Sequence, residues 1–236
     1  IPAVQHGALA QQFLLPPFNV LDGRAGWWQE RKRQWLALGI QSELGRDEGL
    51  VLEKRQSQLL THSALYTRKL MVERELGRSL TTDEFFDGYV EPGEVSDTGT
   101  SIFDPVVAEV AYRWWTPVGG RVLDPFAGGS VRGVVAARLG RHYTGIDLSE
   151  RQVAANREQA AQLLGQEGDG EAVWHVADAA TYRYPKGDVY DFIFTCPPYY
   201  DLEQYSDDPS DLSNLASYDE FLAVYRQAIA QAAAQL

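Results

Sequence analysis

The sequence predicts an α/β protein, with a doubly wound, mostly parallel sheet over residues 101–236 and a largely helical region over 1–100. Three observations carry that expectation. Short runs at Arg121–Asp124, His142–Asp147, Ala172–Val176 and 189–194 alternate with helical stretches, the pattern of βαβ units. The first three runs end at or just before an acid: Asp124, Asp147 and Asp178. The fourth stops at Cys196-Pro197-Pro198-Tyr199, where two prolines cannot donate ladder hydrogen bonds and the backbone must leave the sheet.

The elements follow in order. Residues 1–23, with Pro16-Pro17, read as an extended arm. The spacing of Trp27, Trp28, Trp35, Leu36, Leu38 and Ile40 predicts a helix over 26–44, with Arg31, Lys32 and Arg33 between the aromatics. Strong helix formers predict a second over roughly 49–77. Thr82-Asp83-Glu84 looks like a helix start before Phe85-Phe86, and the polar, turn-rich stretch 91–100 marks a domain boundary. Beyond it, Asp104-Pro105 opens a helix through about Trp115 that Gly119-Gly120 ends, and further helices are expected over 129–139, 149–164 and 217–235. The acidic, turn-rich segment 201–213 is a candidate lid, with an ordinary solvated loop as the alternative.

Composition bounds the function. A chain of 236 residues buries a real core. No stretch of membrane-span length and no signal peptide is visible in it, so a cytoplasmic protein of a bacterial or phage-infected cell is expected, with no membrane partner. One cysteine excludes an internal disulfide, and with four scattered histidines it makes no zinc site, so no metal is expected. The net charge of −12 argues against a simple basic nucleic-acid binder. It is unevenly spread: residues 24–78 carry +4 and residues 79–236 carry −15. Any polyanion such as DNA would find its foothold in helices 24–78, unless those residues form a mixed-charge surface over a packed core. Oligomeric state is open. The chain starts at Ile1, so an upstream piece is expected.

The chemistry lies at the strand ends. Asp124-Pro125-Phe126-Ala127-Gly128-Gly129-Ser130 takes a strand through a small-residue turn into a helix, and its glycines let a ligand approach the backbone. It lacks Gly-Lys-Ser/Thr and ends its strand in an acid, so it is not a phosphate loop. Asp124 instead suits a cationic amino group. Asp147, 23 residues on and followed by Leu148, stands where nucleoside-binding α/β folds hold a ribose diol. Asp178, followed by Ala179, is either an acceptor for an adenine amino group or a turn residue. Together the three acids describe a pocket for an amine, a ribose and an adenine without phosphates, which fits S-adenosylmethionine.

These motifs resemble those of class I S-adenosylmethionine-dependent DNA methyltransferases of the exocyclic-amino type, acting at cytosine N4 or adenine N6. Asp124–Ser130 is similar to their Asp-Pro-Phe-x-Gly-Ser-Gly cofactor motif, Gly145-Ile146-Asp147 to their ribose motif, and Thr195-Cys196-Pro197-Pro198-Tyr199 to their Asp/Asn/Ser-Pro-Pro-Tyr catalytic motif. Ser101-Ile-Phe103-Asp-Pro105 sits where the family contacts the methionine end of the cofactor, and Tyr218-Asp-Glu-Phe221 resembles its aromatic-acidic helix start. The resemblance covers roughly 100–236 and has the character of phage-encoded modification proteins. It implies a Rossmann-like core and direct attack by the amino nitrogen of a flipped-out base. It also implies a C-terminus lacking the family's further strands.

One departure stands out. Cys196 occupies the position the family gives to Asp, Asn or Ser. There the side chain and the next carbonyl orient the target amino group while the tyrosine stacks on the base. A thiol is a weak hydrogen-bonding group, so the Pro197 carbonyl carries more of that task, and the size match to Ser leans the choice of base toward cytosine. Three alternatives stay open: an RNA or small-molecule methyltransferase, a cytosine-C5 enzyme using Cys196 as nucleophile, and an inactive cofactor-binding scaffold.

Overall fold

The computed structural model describes residues 21–41, 44, 63–90, 103–200 and 208–236. They divide into two units: residues 1–46 with 102–236, and residues 47–101. The arm through residue 20, the helix expected before Ser63, the boundary stretch 91–100 and Ser101 lie outside the described residues, as do 201–207 of the candidate lid.

The larger unit is built on a four-stranded, all-parallel sheet. Its elements are α1 (Gly26–Leu36), α4 (Pro105–Trp115), β1 (Arg121–Asp124), α5 (Val131–Arg138), β2 (His142–Asp147), α6 (Glu150–Leu163), β3 (Ala172–Val176), β4 (Phe192–Ile193), a 3-10 turn (Leu212–Asn214) and α7 (Tyr218–Ala233), with α2 (Ser63–Leu76) and α3 (Thr82–Tyr89) in the smaller unit. The strand order is β3-β2-β1-β4. Moving outward from β1, the chain first steps through β2 to β3, then crosses back to place β4 on the other side. That reversal makes the carboxyl ends of β1 and β4 the topological switch point, where open α/β sheets bind ligands.

Helices cover both faces. Val122, Tyr143 and Trp174 face one core layer, filled by α1, α4, α5 and α6. Leu123, Ile146 and Ile193 face the other, closed by Ala228 and Ala232 of α7. The alternation of neighbours Val122 and Leu123 between layers is the two-residue period of a strand buried on both sides. Close packing constrains α5: a Cβ on Gly133 would sit 2.3 Å from the Trp174 ring. Only glycine lets that helix approach the sheet so closely.

β1, β2 and β3 match the expected strands. β4 is shorter than the expected 189–194, since its ladder occupies two residues, although the Asp191 and Phe194 N–H groups extend the pairing to the carbonyls of Arg121 and Leu123. α1 ends at Leu36, and Leu38 and Ile40 reach the core from the turn that follows.

α1 belongs with the sheet because of one buried carboxylate. Glu109 of α4, fully enclosed, accepts from Arg31 Nε and Trp35 Nε1, each at 2.6 Å, from Arg31 Nη2, and from Arg113 Nε at 2.9 Å. Asp104 caps α4 by accepting from Val106 N at 2.9 Å and also accepts from Trp28 Nε1 at 3.1 Å. Trp28, Arg31 and Trp35 are therefore interior residues. Lys32 pairs with Asp104 and Arg33 with Glu30. In this helix, part of the 24–78 stretch read as a possible foothold for DNA, Arg31 is buried on Glu109, while Lys32 and Arg33 pair with acids at the surface.

In the smaller unit, Leu65, Leu80 and Phe85 form a core under α2 and α3. Thr81 and Glu84 make a reciprocal capping box, with Glu84 N donating to Thr81 Oγ1 at 3.2 Å and Thr81 N donating to Glu84 Oε2 at 2.9 Å. No helix among the described residues is long and apolar enough to cross a membrane. The same residues hold no cluster of three or more metal-ligating side chains.

Candidate functional site at the switch point

The turn after β1 is held from three sides. Gly128 adopts φ 50°, and its N–H donates to Asp147 Oδ2 at 2.7 Å. Its carbonyl accepts from Asn156 Nδ2 of α6, also at 2.7 Å. Ala127 N donates to the Ile146 carbonyl at 2.8 Å. A Cβ on Gly128 would meet nothing within 4 Å, so the turn faces open space. The positive φ and the open Cα face together form a half-buried cradle that a ligand could approach without meeting a side chain. Ser130 does not face it: its buried hydroxyl donates to Gln159 Oε1 at 2.9 Å.

Asp147 closes β2 beside this cradle. Its Oδ1 accepts from Ser149 N at 2.9 Å, and with Oδ2 on Gly128 each oxygen keeps a further acceptor site. Burial pushes its carboxyl above the ordinary 3.8, the N–H groups of Ser149 and Gly128 oppose that rise, and nearby Asp124 adds to it. Leu148 is half-buried next to it.

Asp124 departs from expectation. The cation it holds is the chain's own Arg132, whose Nε donates to Oδ2 at 2.6 Å. Tyr143 Oη donates to the same oxygen at 2.7 Å, and Phe126 N donates to Oδ1 at 3.2 Å. The carboxylate is fully enclosed and its charge is met internally, so it does not stand open to a ligand's amino group. Arg132 also donates to the carbonyls of Phe126 and Ala127, at 2.7 and 2.9 Å. Burial alone would lower its pKa, but the Asp124 charge outweighs burial and raises it.

Asp178 forms a tight local turn, with Oδ1 accepting from Ala180 N at 2.8 Å and Oδ2 from Thr181 Oγ1 at 3.0 Å. That is the turn-residue alternative in geometric form. Ala179 is buried behind it.

The end of β4 meets the end of β1. Phe194 N donates to the Leu123 carbonyl at 3.0 Å, and Phe126 N donates to Thr195 Oγ1 at 3.2 Å. Cys196 is exposed, Pro197 and Pro198 are half-buried, and Tyr199 is 57% exposed. Next to them a row of rings runs back along α7. Tyr200 lies 5.5 Å from Tyr218, Tyr218 stacks on Phe221 at 5.9 Å, Phe221 on Tyr225 at 5.9 Å, and Tyr225 reaches Phe126 of the glycine turn at 6.2 Å. On the other side Phe103 meets Phe194 edge-on at 5.6 Å, and the Arg132 guanidinium lies over the Phe103 ring at 4.6 Å.

Asp124 through Ser130, Asp147 and Thr195 through Tyr199 thus gather at one edge of the sheet. Three contributors were missed from the sequence. Arg132 was a cation in an otherwise small and apolar helix start, Tyr143 was the second residue of a strand, and Asn156 sat mid-helix. An arginine between Val131 and Gly133 was the one visible signal, since charge there needs a buried partner. No family model matches the chain, and no curated protein matches it in sequence.

Proposed function

We propose that the chain is an S-adenosylmethionine-dependent methyltransferase acting on an exocyclic amino nitrogen of a DNA base. The observation that carries this reading is the contact of Phe126 N with Thr195 Oγ1 at 3.2 Å, which sets the Cys-Pro-Pro-Tyr strand end against the open glycine cradle. The residues fit the cofactor. The cradle carries no phosphate-binding lysine, and Asp147 keeps acceptor sites for a ribose diol. When bound, the cofactor would supply an electrophilic methyl group on a sulfonium, whose sulfur–carbon bond would break to a neutral thioether as the nitrogen–carbon bond forms.

The remaining work falls to the chain. The Pro197 carbonyl accepts from the target amino group, directing its lone pair at the methyl carbon. Cys196 Sγ adds a weak contact. Tyr199, exposed at the strand end, offers a ring for an extruded base. The proton released from nitrogen passes to solvent.

Incubation with methyl-labelled cofactor and DNA, followed by digestion to nucleosides, tests the proposal. N4-methylcytosine or N6-methyladenine is the expected product. Label in 5-methylcytosine would select the Cys196 nucleophile instead, and label in RNA alone would move the substrate. Cofactor binding without transfer to any nucleic acid would overturn the nucleic-acid substrate and leave a small-molecule substrate or an inactive scaffold.

A further inference from the structure

Arg132 has hydrogen-bonding capacity that the fold does not use. Its guanidinium offers five N–H groups in a rigid fork. Nε is spent on Asp124 and Nη2 on the carbonyls of Phe126 and Ala127. Nη1 has no hydrogen-bond partner among the described residues. Nor does it belong with the enclosed, partnerless atoms of the described residues, which are Thr116 Oγ1, Arg138 Nε, Trp174 Nε1 and Tyr184 Oη. Nη1 therefore reaches accessible space, although the residue as a whole is only 4% exposed.

The placement of that free edge is specific. The guanidinium lies between the carbonyls of the glycine turn and the Phe103 ring, 4.6 Å from its centroid. Asp124, itself fixed by the Tyr143 hydroxyl, anchors it through Nε. An anion meeting Nη1 would gain charge-assisted hydrogen bonds without any ordering of the side chain. It would do so on the turn that leads into Gly128, through a guanidinium already bonded to the Phe126 and Ala127 carbonyls.

We infer that Arg132 Nη1 receives the α-carboxylate of the amino-acid end of the cofactor. This deepens the proposed methyltransferase reading and rests on it. It also inverts the role expected of this turn: Asp124 does not take the ligand's ammonium but anchors the arginine that takes its carboxylate.

The test compares S-adenosylmethionine, its decarboxylated analogue and 5′-methylthioadenosine, which lacks the amino-acid group, by titration calorimetry. The native chain should lose roughly tenfold or more in affinity when the carboxylate is absent, the size of a charged hydrogen bond. Arg132→Lys keeps a cation for Asp124 but loses the fork, and should shrink that preference. Arg132→Met should abolish it, so that S-adenosylmethionine and its decarboxylated analogue bind that variant with equal affinity. Because Arg132→Met strands a buried carboxylate, the double variant Asp124→Asn/Arg132→Met serves as the foldable control. If either folded methionine variant keeps the native preference for the carboxylate, the assignment of Arg132 is overturned and the cofactor reading survives. Failure of the native chain to bind any of the three ligands would overturn both together.

Discussion

Tyr199, Cys196 and Asp147 separate what the site does from what it binds. Tyr199→Ala should lower turnover by about 10- to 100-fold, the worth of one base stacked on an aromatic ring. Cofactor affinity should stay near native in the same calorimetric titration, since Tyr199 belongs to the β4 end and not to the cradle. Cys196→Ser should leave product formation undiminished, because serine has the size of cysteine and is the better hydrogen-bonding group. Loss of all activity in that variant would instead identify a nucleophilic thiol. Asp147 carries the pH dependence. Its folded pKa lies above 3.8 because burial penalises the charged form. Ribose hydroxyls donate best to the carboxylate, so affinity should be full at neutral pH and fall as pH drops through that raised value. The carboxylate form itself costs folding stability, a deficit relieved as pH falls. Asp147→Asn should bind more weakly and show a flat pH profile by calorimetry.

At the scale of elements, the Glu109 cluster joins α1 to the sheet unit. Removing one member of a buried charge cluster leaves the others uncompensated, at about 3–5 kcal/mol. Glu109→Ala should lower the urea midpoint accordingly and release the Trp35 fluorescence to that of a solvated indole. Burial pushes the Glu109 carboxyl up, but Arg31, Trp35 and Arg113 outweigh it and hold it below 4.5. Its contribution is therefore fully present above pH 4.5 and is lost as pH falls through the lower folded value. α5 is set by a different force. Gly133→Ala would drive a methyl into Trp174 and should cost about 1–3 kcal/mol of overpacking, read by the same denaturation curve. α7 matters through its rings: Phe221 and Tyr225 connect the Cys-Pro-Pro-Tyr end to Phe126, so the helix after β4 braces the glycine turn.

For the whole molecule, charge is the property that a DNA substrate must contend with. The chain carries −12 overall, and the first helix keeps its cations for Glu109, Asp104 and Glu30. If DNA is the substrate, methyl transfer to duplex should fall steeply between low and physiological salt, while transfer to a mononucleotide would be nearly insensitive. Equal salt dependence for both would favour a small substrate. The sequence by itself determined the strands β1, β2 and β3, because period-two and fully buried runs bounded by glycine, proline and acids leave few alternatives. It also determined that Asp124, Asp147 and Cys196–Tyr199 stand at strand ends, since a proline pair and a glycine turn stop strands locally. Only the tertiary structure decided the strand order that brings those ends together, because pairing partners lie 70 residues apart in the case of Arg121 and Asp191. It alone decided that Asp124 is claimed by Arg132 and Tyr143, and that Arg31 faces Glu109 rather than solvent. A buried ion pair is chosen by proximity in space, and composition cannot say which acid a given arginine will find.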